Sequence, residues 1–203
     1  MKKLLLLTAI IFGAFYSASA QYYYSKSSPT DGVKLGFGLS SGFSTGPVSG
    51  AFPEAGAITA NLELPLGKSP VSVLFQTGYT FYVSGGGYDV GFGYYGYGVG
   101  TDYYGNIASF IPVEAGLKVY IAPRVFIAGL AGVSFNVNTY PSDYTNNANA
   151  FVYSPMVGYS FPFGFRGKSN LDLSLMYENR PESGGGYSQV GVKAVWNFNI
   201  SGK

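Results

Sequence analysis

The chain is 203 residues long, with 12 Lys and Arg against 10 Asp and Glu, 30 Gly, 19 Tyr, 16 Phe, and neither Cys nor His. Without cysteine there is no disulfide framework, no thiolate metal site and no lipidated N-terminal cysteine. Without histidine, the Ser-His-acid arrangement of acyl hydrolases and acyltransferases cannot be assembled.

The first element is a leader. Met1, Lys2 and Lys3 precede the apolar run Leu4 to Ala14, and Ala18, Ser19 and Ala20 supply small residues at a cleavage point, the layout of a Sec-type signal peptide. The run is too short for a bilayer-spanning helix, which needs ~20 apolar residues. Segment 1–20 is therefore expected to be removed, leaving 21–32 as an N-terminal periplasmic segment and 33–203 as one domain. Loss of Lys2 and Lys3 balances the charge of the mature chain. A neutral protein offers no electrostatic case for nucleic acid, whose binding rests on phosphate neutralisation.

Beyond the leader the apolar residues recur at every second position, the mark of strands with two unlike faces. In chain order the predicted strands are 33–43, 57–64, 71–83, 111–121, 125–137, 151–163, 171–178 and 190–200. The clearest is the third, where Val71, Val73, Phe75, Thr77, Tyr79, Phe81 and Val83 share one face and Ser72, Gln76, Gly78 and Thr80 the other. Ile111 to Ile121, Leu171 to Tyr177 and Val190 to Ile200 repeat the pattern. Most approach the ~9–11 residues of a tilted membrane strand, whereas strands in globular proteins are typically about 5–6 residues.

The connectors alternate as well. Short ones fall near 66–69, 122–124 and 164–169, and longer ones near 44–54, 84–106, 139–150 and 181–186. Short turns on one side and long loops on the other are the habit of outer membrane barrels. The long set carries Glu54, Asp89, Asp102, Asp143 and Glu182, and the short set Lys68, Arg124, Arg166 and Lys168. Pro112 and Pro155 fall inside predicted strands, where each removes a ladder hydrogen bond. Later strand starts or bulges are the expected accommodation.

With the leader, the run Phe110-Ile111-Pro112-Val113-Glu114-Ala115-Gly116-Leu117-Lys118, the strand from Val125 to Phe135 and an aromatic final strand ending near Phe198, the chain resembles the small outer membrane β-barrel protein family of Gram-negative bacteria. Its kind is the eight-stranded one, of OmpA- and OmpX-like architecture. The resemblance implies an all-β fold, a closed eight-stranded antiparallel transmembrane barrel. It also implies an outer membrane location and a last strand read by the barrel assembly machinery, although Asn199 to Lys203 extend past the terminal aromatic.

If the apolar faces meet lipid, the other faces fill the lumen. Lys34, Glu63, Glu114, Lys118, Asp172, Glu178 and Lys193 all fall there, and a network of paired charges across the closing seam is expected, because unpaired buried charge is costly. An eight-stranded barrel is just wide enough for side chains to fill, so this set is read as a structural polar core and not as an ion path. Aromatics near the strand ends suggest two interfacial girdles: Tyr79, Phe81, Phe135, Phe151 and Tyr153 on one side, Phe161, Phe163, Trp196 and Phe198 on the other. The glycine-rich stretch 84–106 carries Tyr88, Tyr94, Tyr95, Tyr97, Tyr103 and Tyr104, and reads either as a low-complexity loop with no dedicated ligand or as an external contact surface for a ligand or protein. It lacks the helix start and lysine of a phosphate cradle.

No catalytic, metal or cofactor site is expected. The function read from these residues is a structural or surface-interaction barrel displaying acidic, tyrosine-rich loops, with membrane lipid and the assembly machinery as partners. The alternative is a transporter or channel for a small apolar compound. A continuous apolar pocket opening sideways would favour transport, and a charge-filled interior display.

Overall fold

In the computed structural model, residues 32–67, 69–84, 107–137, 149–163, 169–182 and 186–201 are described, without the side chain of Phe163. The predicted leader, most of segment 21–32, the six loop tyrosines, and Lys68, Asp89, Asp102, Asp143, Arg166 and Lys168 lie outside these residues. Eight strands follow one another: β1 Lys34–Thr45, β2 Glu54–Pro65, β3 Val71–Val83, β4 Ile107–Tyr120, β5 Val125–Asn136, β6 Ala150–Phe163, β7 Ser169–Arg180 and β8 Tyr187–Asn199. Each pairs antiparallel with the next, and β8 returns to β1, so the sheet closes into a barrel. The expected all-β closed fold is the one observed.

The alternation in the sequence becomes the inside and outside of the wall. Along β3, Ser72, Leu74, Gln76, Thr80 and Tyr82 are buried while Phe75, Thr77 and Tyr79 are exposed. Outward positions include Phe43 at 74% exposure, Leu39 at 63% and Leu175 at 62%. Large apolar side chains are therefore turned to the surroundings all round the barrel, while the Lys, Glu, Asp and Arg of the strands, except Glu54 at the start of β2, are turned in. This inverts the ordinary distribution of a soluble domain.

Several strands start earlier than the apolar periodicity suggests. β2 begins at Glu54 instead of Ala57, β4 at Ile107 instead of Ile111 and β8 at Tyr187 instead of Val190. The added residues bring exposed Glu54 and buried Ser109 and Ser188 into the ladder, so pairing runs on past the stretch where burial strictly alternates. One rim carries the long connectors 46–53, 84–106, 137–149 and 181–186, and the other 66–70, 121–124 and 164–168.

Closure fixes the stagger. The partners of Leu35 run through Leu62, Phe75, Ala115, Ala131, Tyr153, Asn179 and Ser188 and return to β1 at Thr45, ten residues beyond the start. For eight strands this offset corresponds to a tilt of roughly 40–45°.

The two prolines are accommodated without bulges. Between β3 and β4 the pairs Thr77↔Val113 and Thr80↔Phe110 keep one register, while Gly78 and Tyr79 stand unpaired opposite Pro112 and Ile111. Between β6 and β7, Tyr153↔Asn179 and Met156↔Met176 likewise keep register across Ser154 and Pro155. On their other sides Pro112 pairs with Ser134 and Pro155 with Gly129. Each proline thus turns its missing N–H toward one seam and leaves the other intact. Side chains bridge the gaps: Thr77 Oγ1 donates to the Pro112 carbonyl at 2.9 Å, Tyr79 OH meets Ser109 Oγ at 2.6 Å, and Asn179 Nδ2 donates to Tyr153 OH at 2.9 Å. The expectation of later starts or bulges is thereby corrected.

The closing register has a direct test, because the chain contains no cysteine. Phe37 and Trp196 are cross-strand partners on β1 and β8, at a spacing a disulfide can span. The double variant F37C/W196C is expected to form an intrachain disulfide on oxidation, while F37C/V192C is not. Equal cross-linking of the two, read by mass spectrometry, would overturn the closing register.

Candidate functional site

Because the strands are tilted and only eight in number, side chains from opposite walls reach one another across the bore. The inward positions build three tiers. At the short-connector end, Lys118 Nζ lies 2.9 Å from Glu63 Oε2 and 2.5 Å from Asp172 Oδ2, joining β2, β4 and β7 at one ammonium. Lys34 approaches Glu63 Oε1 at 3.5 Å. Ser72 Oγ donates to Glu63 Oε1 at 3.0 Å, Asn170 Nδ2 to Asp172 Oδ1 at 2.6 Å and Asn197 Nδ2 to Asp172 Oδ2 at 2.9 Å. The Lys118 ammonium also sits 4.5 Å from the ring centre of Phe126 and 5.0 Å from that of Tyr120, where the ring quadrupole adds attraction. The two carboxylates therefore have the hydrogen-bond donors that buried charge requires.

The middle tier turns on an amide. Gln76 Nε2 donates to Glu114 Oε2 at 2.7 Å, Ser154 Oγ donates to Glu114 Oε1 at 2.7 Å, and Lys193 Nζ donates to Gln76 Oε1. Gln76 presents its oxygen to the cation and its N–H to the anion, so one neutral side chain spans the gap between Lys193 and Glu114.

At the long-connector end, Arg180 is fully buried. Its Nη2 lies 2.5 Å from Glu178 Oε1, its Nε donates to Ser134 Oγ at 2.8 Å and its Nη1 to Tyr82 OH at 2.9 Å. Gln189 Nε2 donates to Glu178 Oε1 at 3.1 Å. Above this tier Tyr82, Phe110 and Tyr187 pack ring on ring, with Tyr187 at 5.0 Å from each of the other two. Phe52 from the β1–β2 connector comes within 5.8 Å of Tyr187 and is buried, as is Val48.

That connector was expected to be an external loop, yet it folds back over the mouth. Gly46 turns the chain at φ +83°, where a side chain is disfavoured. Ser49 Oγ donates to the Gly46 carbonyl at 2.8 Å, and the Phe52 and Ser44 amides donate to Val48 and Pro53 carbonyls at 2.9 Å each.

All seven lumen charges expected from the sequence are buried. Lys34 and Glu63 pair between neighbouring strands as the seam arrangement anticipates, while the partners of Lys193 and Asp172 differ from it. Lys193 meets the Gln76 amide instead of Asp172 or Glu178, and Lys118 takes Asp172 from across the bore. Neighbour-by-neighbour reasoning along the sheet misses this because a lysine in so narrow a bore reaches past its own seam. Arg180 was missed outright. Its signal was the alternation itself, continued one step beyond Glu178, and the same step finds Tyr82 after Thr80 and Tyr120 after Lys118.

Among the described residues, buried Lys34, Lys118, Arg180 and Lys193 stand against buried Glu63, Glu114, Asp172 and Glu178, so these eight sum to no net charge if all are ionised. A cavity of about 20 Å³ remains between Asn61, Glu63, Gln76, Lys118 and Lys193, room for about one water. Among the described residues no group of three or more metal-ligating side chains occurs.

Removing one member of the tightest tier leaves two carboxylates facing each other in a buried space. Lys118→Met is expected to cost about 3–5 kcal/mol, and adding Asp172→Asn to recover part of that loss. Lys193→Met, which removes a cation bonded to a neutral amide, is expected to cost less, about 1–3 kcal/mol. Denaturant midpoints of the refolded barrel in detergent check the order, and an equal loss in both single variants contradicts it.

A second check concerns Glu182, beyond the end of β7. Burial raises its carboxyl pKa above the ordinary value, with nearby Arg180 opposing the shift. A raised acid pKa means that this contribution to stability is present below the unfolded-state value and lost as pH rises through the folded-state one. Glu182→Gln is expected to raise the unfolding midpoint at neutral pH and to lose that advantage in acid.

No protein-family profile and no curated protein matches the sequence. Among solved structures, the chain is similar to Ail, the attachment invasion locus protein of Yersinia pestis, in complex with the heparin analogue sucrose octasulfate, at 12% identity over 82% of this chain and 97% of that one, TM-score 0.49. It is similar to the outer membrane protein OprG from Pseudomonas aeruginosa at 9% identity over 83% and 94%, TM-score 0.41. A structure from the de novo design of transmembrane β-barrels is similar at 14% identity over 80% and 94%, TM-score 0.43. These are likenesses of fold alone.

Proposed function

We propose that this chain is an outer membrane β-barrel protein of a Gram-negative bacterium with a structural or surface-interaction role and no catalytic activity. The observation that carries the reading is the inverted wall: an apolar outer surface that includes Phe37, Leu39, Ile58, Phe75, Val113, Leu117, Phe151, Leu175 and Val192, all exposed, around an interior of ion pairs. Such a surface is stable only against hydrocarbon, and the exchange of lipid for water on it is strongly unfavourable at ~25 cal/mol per Å². The short-connector rim then faces the periplasm, and the long connectors face outward.

Export through the Sec route with loss of segment 1–20, recognition of the last strand by the barrel assembly machinery, and contact of the loop tyrosines with a surface ligand or protein belong to the same reading. The transport alternative required a continuous apolar pocket opening sideways. The filled tiers and the aromatic cap over Arg180 support display over conduction.

Two measurements on one sample test this. The protein is expected in the outer membrane fraction and to run faster unheated than boiled on a detergent gel, as a folded barrel does. Recovery from the soluble periplasm would overturn the reading. In planar bilayers the wild type is expected to show no open channel, and Lys193→Met to lower stability without changing conductance. A steady wild-type conductance that Lys193→Met abolishes at unchanged folding would restore the ion-path alternative.

A further inference from the structure

The sequence runs on past Phe198, the terminal aromatic of β8, and the residues that follow it have a place in the fold. The ladder of the closing seam, β1 against β8, extends from Thr45↔Ser188 to Lys34↔Asn199. One step further, the Ile200 amide donates to the Val33 carbonyl at 2.9 Å. In an antiparallel ladder the return bond would run from the Val33 amide to the Ile200 carbonyl. Here the Val33 amide donates to Ser201 Oγ at 3.1 Å. Asn199 brings Ser201 round for this, because its Oδ1 accepts from the Ser201 amide at 3.0 Å and from the Ser201 hydroxyl at 2.9 Å. An asparagine side chain that takes the amide two residues on makes an Asx turn, so the seam ends in a hook. Gly32 receives it. This residue stands at φ +84°, where a side chain is disfavoured. A Cβ there would run into Ser201 Oγ and lie 2.6 Å from both the nitrogen and the oxygen of the Asn199 amide. Backbone conformation and close approach independently call for glycine at the point where the hook meets the start of β1.

We infer that Asn199, Ile200 and Ser201, seated on Gly32 and Val33, form a clasp that locks the closing seam once the barrel has formed. Seven of the eight seams join consecutive strands, so a connector ties each of them at one end. The β1–β8 seam has no connector. It alone can part without stretching the chain between its two strands, and parting it would bare two edges ready to pair with another chain. A tie across its end therefore matters more here than at any other seam. The Val33 and Ser201 partners are 168 positions apart, so the clasp has to wait until β8 lies in register on β1. A contact made after the rate-limiting closure does not speed folding; it slows unfolding. The lock does not depend on what surrounds the wall.

The test is the kinetics of the full chain in detergent, with folded and unfolded forms separated by their mobility on an unheated gel. Folding is started by dilution from urea and unfolding by a jump into guanidinium. Ser201→Ala is expected to unfold about threefold faster than the wild type, the effect of losing roughly one net hydrogen bond. Gly32→Ala is expected to unfold about tenfold faster, since it adds a side chain at a left-handed φ to the collision with the hook. Both are expected to fold at the wild-type rate. The double variant Gly32→Ala/Ser201→Ala is expected to unfold no faster than Gly32→Ala alone, because the two changes break one contact. Unchanged unfolding in both single variants would overturn the clasp. Folding slowed in step with the loss of stability would overturn the lock, because the contact would then form before closure. Effects that multiply in the double variant would show that Gly32 and Ser201 act apart, and would equally overturn it.

Discussion

Lys118 sets one ammonium group against two carboxylates from strands that do not touch, Glu63 on β2 and Asp172 on β7. The rest of the interior follows from that contact. A barrel of eight strands is too narrow to let a lysine keep its own hydration and too polar inside to bury it against hydrocarbon alone. The charge must be matched by groups from the opposite wall, and each of those by further donors: Ser72 for Glu63, Asn170 and Asn197 for Asp172. Polar filling propagates tier by tier until the aromatic rings at the mouth end it.

This arrangement separates two tasks that a soluble domain performs with one set of residues. Cohesion of the interior rests on ion pairs and amides, and the apolar residues are free to make the outside compatible with lipid. Gln76 is the plainest case, an uncharged side chain whose two ends fit a cation and an anion at once. Buried charge networks of this kind give little net stability compared with apolar packing, but losing a single partner is severe.

Much of this was legible in the sequence, and the limits were physical. Period-2 alternation assigns Lys34, Glu63, Glu114, Lys118, Asp172, Glu178 and Lys193 to one face because the pleat leaves a side chain no third choice. Pairing was not legible, since it depends on stagger, and stagger is fixed only when β8 meets β1. Arg180 escaped because the strand was ended where its apolar stripe ended, although the alternation ran on. The inward fold of the β1–β2 connector had no periodic signal at all. It rests on Gly46 and on two apolar side chains, Val48 and Phe52, in a stretch that otherwise reads as an exposed loop. The prolines fit the strands for a different reason. A strand in a closed barrel has two seams, and a missing N–H weakens only the one it points to.

The ring of Phe52 against Tyr187 joins the first connector of the barrel to the start of its last strand. These two rings are separated by most of the chain, so no local hairpin can bring them together. Their apposition waits for the whole sheet to curl round, which makes the mouth among the last parts of the molecule to form. Contacts of such long sequence separation slow folding, and they also make it cooperative. A half-built barrel lacking β8 has an open rim, and a completed one carries its own stopper.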